Sequence, residues 1–324
     1  MTANRELARA FATIVGLAFA AIAGAQAWPA KPVQIIAPTN VGSGPDLLAR
    51  ILGAKLAERW GQQVVIVNKL GAGTMIGTAE VAKSAPDGYN MVLVPDAFAN
   101  NPALIKLPFD PVKDLTPVAQ VALGAMVLCV HPSMPVKSVP EFVDYVKKNP
   151  KKVAYGSAGN GTTHHMFMAM FAHLAGLDMV HVPYGGGPGQ MQNDLVEGRL
   201  NAAFLASNGA IPLVNANRLR VLAVGGEKRM SYWPQVPTFA EQGYPAFDLE
   251  LWYGLLAPGG TPRPIVDKIY TDVAWALGLP DVKERLLKMG MEAAPMGPDA
   301  FAKYVHGEIA RKKKLAQDAG IKAE

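Results

Sequence analysis

Two short stretches of the chain combine glycines with side chains that could bind or transform a substrate. One is YGSAGNGTTHHMFMAMF, residues 155–171, and the other is PTNVGSGPD, residues 38–46. In each, small residues and hydroxyl groups lie just before an apolar helical pattern. Such turns occur in hydrolases, in nucleotide-binding loops, in metal sites and in pockets for other anions.

The glycine spacing of residues 155–171 argues against a hydrolase and against a P-loop. A nucleophile elbow needs Gly-x-Ser-x-Gly, but Tyr155 occupies the first position around Ser157. A P-loop needs a lysine directly after its second glycine to balance phosphate charge. Gly156 and Gly161 have the P-loop spacing, but Thr162 follows them.

Nucleotide and metal sites are disfavoured elsewhere for similar reasons. The segment GAGTMIG, residues 71–77, has its third glycine one residue too late for a Rossmann fingerprint. His164 and His165 point about 100° apart on a helix, so both cannot easily face one ion. We therefore expect neither a cofactor nor a metal, and we expect His165 and His173 on a solvated helix face.

An anion-binding turn fits the remaining features. Gly161 allows close approach of the backbone to a ligand, and Ser157, Thr162 and Thr163 offer hydroxyls. Free N–H groups and the positive end of the helix dipole favour a carboxylate. An alternative stays open, in which Thr162 is only an N-cap and the glycines only form a turn.

These turns require strands before them and helices after them. Short runs of branched residues alternate with amphipathic stretches, which predicts parallel sheet with helices on both faces. The predicted strands are 33–38, 62–68, 91–95, 153–157, 179–184, 200–206 and 219–225. The predicted helices are 46–61, 74–90 (ending in a Pro-Asp-Gly turn), 162–176, 189–198, 263–278, 281–289 and 298–319.

The first 27 residues are typical of a secretory signal peptide. A basic start precedes an apolar run, and AQA, residues 25–27, has the small-x-small form cleaved by signal peptidase. We predict cleavage after Ala27 and a periplasmic protein. An uncleaved N-terminal anchor is the alternative, although the apolar run is shorter than the ~20 residues of a spanning helix.

The composition favours an exported protein that binds small anions. Its only cysteine, Cys129, cannot form an intramolecular disulfide, and we expect it to be buried. The formal charge is +5, which favours the approach of anionic ligands. The RKKK run at 311–314 is typical of a solvated helix face, so we expect no nucleic-acid partner.

The chain resembles the periplasmic solute-binding component of tripartite tricarboxylate transporters, the Bug-type receptors. The resemblance covers essentially all of the mature chain. The segments that carry it are WPAKPVQIIAP, DLLAR, VNKLGAGTMIG, APDGYNMVLV, LPFDPVKDLTPVAQVA, YGSAGNGTTHH, HVPYGG, LRVLAV, VPTFAEQG and WYGLLAPGGTP.

This resemblance implies two doubly wound α/β domains of the periplasmic-binding-protein (Venus flytrap) type. We predict a signal peptide over 1–27, a first domain over 28–128 plus 250–324, and a second domain over 129–249. The protein would be a monomer and not an enzyme. It would close on a small carboxylate and deliver it to integral membrane transporter subunits. A ligand sensor that presents its closed form to a membrane signalling protein is the alternative.

The resemblance also implies which residues bind the ligand. Pro38, Gly42 and Asp46 keep their places in a family loop that runs Pro-Phe-x-x-Gly-Gly-x-x-Asp, and the second loop presents hydroxyls and a histidine. The predicted ligand-binding residues are Thr39, Gly42, Ser43, Asp46, Ser157, Gly161, Thr162, Thr163, His164, Tyr184 and Ser207.

Several positions depart from the family pattern. Thr39 and Ser43 replace the usual Phe and Gly, and Gly185 stands where Lys or Arg is common. Leu205 and Ala206 replace residues that are often polar. These changes predict a mono- or dicarboxylate ligand with a hydrophobic or aromatic body.

The sequence allows two interpretations for each of two acidic residues. Asp96 follows a strand and could face the ligand, but a turn residue outside the pocket is the simpler interpretation, because a carboxylate would repel an anion. Asp46 often faces the ligand in the family, but here it could simply complement a helix dipole.

Overall fold

The computed structural model describes residues 28–160, 162–185, 188–245, 247 and 250–318. The predicted signal peptide, its cleavage site and Gly161 lie outside these residues. Within the described ranges, no helix has both the length and the apolar character needed to cross a membrane.

The described residues form ten strands and ten α-helices. The strands are β1 (Val33–Ala37), β2 (Val64–Asn68), β3 (Asn90–Pro95), β4 (Leu115–Val130), β5 (Ala154–Ser157), β6 (Val180–Pro183), β7 (Ala202–Ala206), β8 (Arg220–Val224), β9 (Glu250–Pro258) and β10 (Met291–Met296). The helices are α1 (Gly44–Trp60), α2 (Met75–Ala82), α3 (Ala97–Leu104), α4 (Val139–Lys148), α5 (Thr163–Ala175), α6 (Pro188–Val196), α7 (Ser207–Asn215), α8 (Arg263–Gly278), α9 (Pro280–Lys288) and α10 (Pro298–Asp318).

Each half of the molecule contains a parallel core of three strands. In the first half β1 lies between β2 and β3, parallel to both. In the second half β5 lies between β6 and β7, again parallel to both. The carboxyl ends of each set therefore share one edge, where the following helices begin.

The long strand β4 joins the two sheets. Its residues 115–125 pair antiparallel with β9, and residues 126–130 pair antiparallel with β7 and β8. Strand β10 pairs with the first part of β4, and β9 pairs antiparallel with β3. The fold is therefore two α/β domains of the periplasmic-binding-protein type, as predicted.

Some elements differ from the sequence-based predictions. The sheets are mixed rather than purely parallel, because β4 and β9 carry the chain between the domains. The predicted helix 74–90 is α2, which ends at Ala82. The helical spacing of residues 162–176 predicts Leu174 on the apolar face of α5, but this side chain is 49% exposed.

Aromatic packing fixes the helix that follows the second glycine-rich turn. Met166, Phe167, Met170 and Phe171 are buried along α5, and Phe171 packs edge-on against Phe239 at 5.2 Å between ring centroids. Each such side chain contributes on the order of 2–3 kcal/mol on burial. The start of α5 therefore has a fixed position.

Cys129 is buried and free, as predicted. It lies on β4 within the core of the second domain, and burial raises the pKa of its thiol above the ordinary value.

Candidate ligand-binding site

The two predicted loops follow β1 and β5, at the edges where the domains meet. Direct polar contacts cross this junction. The Thr163 hydroxyl lies 3.4 Å from Asp96 Oδ2 and also accepts from Asn100 Nδ2 at 3.4 Å. The Ser207 hydroxyl donates to the Gly290 carbonyl at 2.7 Å. The helix starts of the second domain therefore face the first domain.

The first loop is held in shape by its own polar groups. Gly42 has a left-handed φ of 81°, and its N–H donates to Asp46 Oδ2 at 2.8 Å. The Ser43 hydroxyl donates to Thr39 Oγ1 at 2.7 Å. Ser43 precedes α1 but makes no side-chain cap with a described residue.

Asp46 is fully buried beneath this loop. It forms an ion pair with Arg50 at 2.8 Å and accepts from Asn68 Nδ2 at 2.9 Å. Burial raises the pKa of Asp46, but hydrogen bonds from Arg50, Gly42 and Asn68 outweigh it and hold the pKa below its usual range. Both carboxylate oxygens are thus engaged within the loop.

The second loop is also internally bonded. Ser157 is fully buried, and its hydroxyl lies 2.7 Å from His181 Nε2 and accepts from the Gly159 N–H at 3.2 Å. Thr162 is the N-cap of α5: its hydroxyl donates to the Gly159 carbonyl at 2.7 Å and accepts from the His165 N–H at 3.5 Å. Because the Ser157 and Thr162 hydroxyls are already bonded, the main-chain groups of the loop are more available to a ligand than these two hydroxyls.

His164 lies in the first turn of α5. Its Nδ1 is buried and has no hydrogen-bond partner among the described residues. Burial lowers the pKa of His164 to about 4, so the ring is neutral at pH 7. A neutral imidazole can donate to or accept from a bound group without adding charge.

The neighbouring histidine does not lie on a solvated face, so that prediction for His165 is wrong. Its ring stacks on His181 at 4.3 Å between centroids, and His181 stacks in turn on Tyr155 at 4.8 Å. Burial, with a smaller contribution from His165, lowers the pKa of His181 to about 4. The solvated-face prediction is confirmed for His173, which is exposed.

The remaining predicted hydroxyls have structural partners. Tyr184 donates to Asp194 Oδ2 at 2.6 Å, and burial, together with that bond, raises the pKa of Tyr184 to about 12. Ser207 is buried against Gly290. Leu205 is fully buried in the core of the second domain, so it does not supply an apolar pocket wall.

Two buried polar residues lie at the junction, of which sequence reasoning considered Asp96 and missed Asn100. Asp96 and Asn100 are each 1% exposed and lie next to Thr163. The predicted solvated face of residues 311–314 is wrong for Lys312, which is 1% exposed. Its ammonium lies 4.8 Å from the centre of the Phe167 ring. Burial raises the pKa of Asp96 to about 6, against the opposing effect of Lys312. Asn100 lies four residues after Asp96, one helical turn along the same face, and this spacing is the signal that could have identified it.

Two cavities are lined by other residues than the predicted ones, although the first includes Gly290, the hydrogen-bond partner of Ser207. One of about 350 Å³ is lined by Leu123–Ala125, by 225–230 and by Gly290 and Glu292. The other, of about 360 Å³, lies beside Pro132, Arg220 and Trp233. Within the described part of the chain, no group of three His, Cys, Asp or Glu side chains could hold a metal ion.

The two-domain fold, with helix starts at the junction, is typical of solute receptors. The family model described as the tripartite tricarboxylate transporter family receptor matches residues 48–321. The chain belongs to this family, whose members are solute-binding receptors of the periplasmic-binding-protein type.

Several relatives resemble the chain over nearly its whole length. BugT from Bordetella pertussis is 31% identical, with 99% of each protein covered. The structure of Rpa4515 from R. palustris with adipate is 34% identical, has a TM-score of 0.82, and covers 91% of this chain and 99% of that one. MatC from Rhodopseudomonas palustris with bound malate is 31% identical, has a TM-score of 0.77, and covers 89% of this chain and 99% of that one.

Proposed function

We propose that the protein captures a small carboxylate between its two domains and delivers it to integral membrane transporter subunits. The observation that carries this proposal is the placement of both glycine-containing loops at facing strand ends of a fold whose relatives bind adipate and malate. No chemical step is required of the protein.

The arrangement of helix starts supports an anionic ligand. Helices α1 and α5 begin just after the carboxyl ends of β1 and β5, one in each domain. Their N-terminal N–H groups and dipoles favour a carboxylate without a cationic side chain. Arg50, next to the first loop, is already paired with Asp46, which is consistent with binding by main-chain groups and water.

Closure is the mechanism of capture. We propose the predicted domains, 28–128 plus 250–324 and 129–249, with β4 and β9 as the connecting hinge. A ligand that contacts both domains stabilises the closed form by its differential affinity for that form. The closed monomer would be the state that the membrane subunits recognise.

The ligand class is a mono- or dicarboxylate. The hydrophobic or aromatic body of the ligand stays a prediction that now depends on Ala206, since Leu205 is buried in the core. The proposal also places the protein in the periplasm after cleavage behind Ala27. N-terminal sequencing of the protein from a periplasmic extract tests that site directly.

Thermal unfolding of residues 28–324 tests the proposed function. The protein is first unfolded and refolded to remove carried-over ligand, and then screened with about fifty carboxylates, amines and neutral compounds. A carboxylate at 100 times its Kd adds about 2.7 kcal/mol of stability. Stabilisation by amines or neutral compounds, with none by any acid, would contradict carboxylate binding.

A further inference from the structure

One buried tyrosine near the first loop has a hydroxyl group without a partner. Tyr253 lies on β9, paired with Pro95 of β3 and Ala122 of β4, and it is 3% exposed. No described residue forms a hydrogen bond with its hydroxyl group. Tyr253 Oη does not belong to the fully enclosed side-chain atoms that lack a partner, so the hydroxyl of this otherwise buried residue is open to water or to a bound group.

The hydroxyl is directed at the start of α1. A methyl group added to Gly44 would lie 2.8 Å from Tyr253 Oη and 2.8 Å from Met291 Cε. Only glycine at this position lets the hydroxyl approach the first turn of the helix. Ser43 leaves that turn without a side-chain cap from a described residue, so the hydroxyl faces an uncapped helix N-terminus.

Tyr253 is also held in its donor form. Burial raises the pKa of its hydroxyl well above the usual range, and the nearby Asp96 raises it further. Asp96 itself is in electrostatic contact with Lys312 and Glu308 of α10 and bonds to Thr163 of α5. The phenol therefore remains protonated and offers its proton to a ligand oxygen at all physiological pH values.

We infer that the Tyr253 hydroxyl and the N-terminus of α1 together form the carboxylate-binding point of the first domain. The inference rests on the proposed function and adds a residue to its site. A carboxylate here would accept from the phenol and from the first main-chain N–H groups of α1. Helix α5 provides the matching point in the second domain.

Replacement of Tyr253 by phenylalanine tests this assignment, because it removes only the hydroxyl. Dissociation constants are measured by calorimetry with adipate and malate, and with the strongest acid of the screen if neither binds. We expect Tyr253→Phe to weaken binding by roughly 10- to 100-fold, the usual effect of losing a hydrogen bond to a charged group. The control is Tyr270→Phe on α8, which should bind like the parent.

A double-mutant cycle with Gly44→Ala shows whether the two groups act together. The added methyl group displaces the phenol tip, so the single variant should lose affinity. In the Tyr253→Phe background the same change should cost much less, since the hydroxyl is already gone. Fully additive effects of the two changes would overturn the assignment.

The outcomes separate the inference from the proposed function. If the parent binds a carboxylate and Tyr253→Phe binds it equally well, Tyr253 is only a core residue and the inference fails alone. If the parent binds no carboxylate, both fail. Melting temperatures without ligand identify a folding defect, and a ligand-induced shift lost from a normally folded Tyr253→Phe protein supports the assignment.

Discussion

At the scale of single residues, the polar side chains of the loops mostly bond to one another. Asp46 binds Gly42, Arg50 and Asn68, and Ser157 binds within its own turn. Few side chains are left for a ligand, so main-chain N–H groups and a small number of hydroxyls must supply most of the affinity. Thr163 is the hydroxyl in the second loop that crosses to the other domain.

Thr163→Val should weaken carboxylate binding by about 1–3 kcal/mol, the range for a hydrogen bond to a charged group. The change keeps the shape of the side chain and removes its hydroxyl. Calorimetric titration measures the effect, and Thr271→Val on the exposed face of α8 is the matched control. Equal affinities of Thr163→Val and the parent would remove this hydroxyl from the site.

Asp96 should give the protein a measurable pH dependence of stability. Burial raises its folded-state pKa from 3.8 to about 6, so the folded protein binds this proton more tightly than the unfolded chain. The contribution of protonated Asp96 to the free energy of unfolding is fully present below about pH 4 and is lost as the pH rises through 6. Lys312, Glu308, Thr163 and Tyr253 are the polar groups around it.

Asp96→Asn removes this titration. Relative to the parent, the variant should become more stable by on the order of 2–3 kcal/mol between pH 4 and pH 7. Urea unfolding at several pH values measures the unfolding free energies of the two proteins. The titration of all other groups is common to both and cancels when one is subtracted from the other. Parallel curves for the two proteins would show that folding does not raise the pKa of Asp96.

At the scale of elements, the end of β2 supports the loop that follows β1. Asn68 is the last residue of β2 and donates both to Asp46 and to the Thr39 carbonyl, at 2.9 and 3.1 Å. The parallel register that pairs Ala37 with Asn68 brings these groups together. A strand end thus positions the first ligand loop.

Asn68→Leu should therefore cost about 1–3 kcal/mol of unfolding free energy at pH 7, because Asp46 loses a buried partner. The loss should shrink below about pH 4, since Asp46 stabilises the fold only while it is ionised. Asn215→Leu, which removes a hydrogen bond to Tyr232 at the surface, is the control. A loss independent of pH would assign the effect to packing alone.

At the scale of the whole molecule, the proposed closure depends on two strands. The chain passes from the first sheet to the second along β4 and returns at the start of β9. Bending at these strands would change the distance between the two loops without disturbing either sheet. The contact of Thr163 with Asp96 crosses the junction in this structure.

Spin labels on cysteines at Val41 and Asn160, both exposed, report this motion. A bound carboxylate should shift the distance distribution between them toward its short end. Labels at Val41 and Val65, within one domain, should not move. Cys129 is buried and can stay in place. An unchanged distribution at saturating ligand would contradict hinge closure.

The sequence by itself determined the local features. Periodicity predicted the parallel strands and most helices, since alternation and helical spacing are properties of neighbouring residues. Ordered family segments indicated the receptor class, and glycine with hydroxyl residues marked both loops. The burial of Cys129 followed from its apolar strand neighbours.

Only the tertiary structure decided which groups meet across long sequence separations. Strand β4 is buried along most of its length, so no alternation or turn signal revealed that it serves both domains. The contact of Tyr253 with the start of α1 spans more than two hundred residues, as does the approach of Lys312 to Asp96. Such contacts depend on sheet order and hinge geometry, which no local pattern encodes.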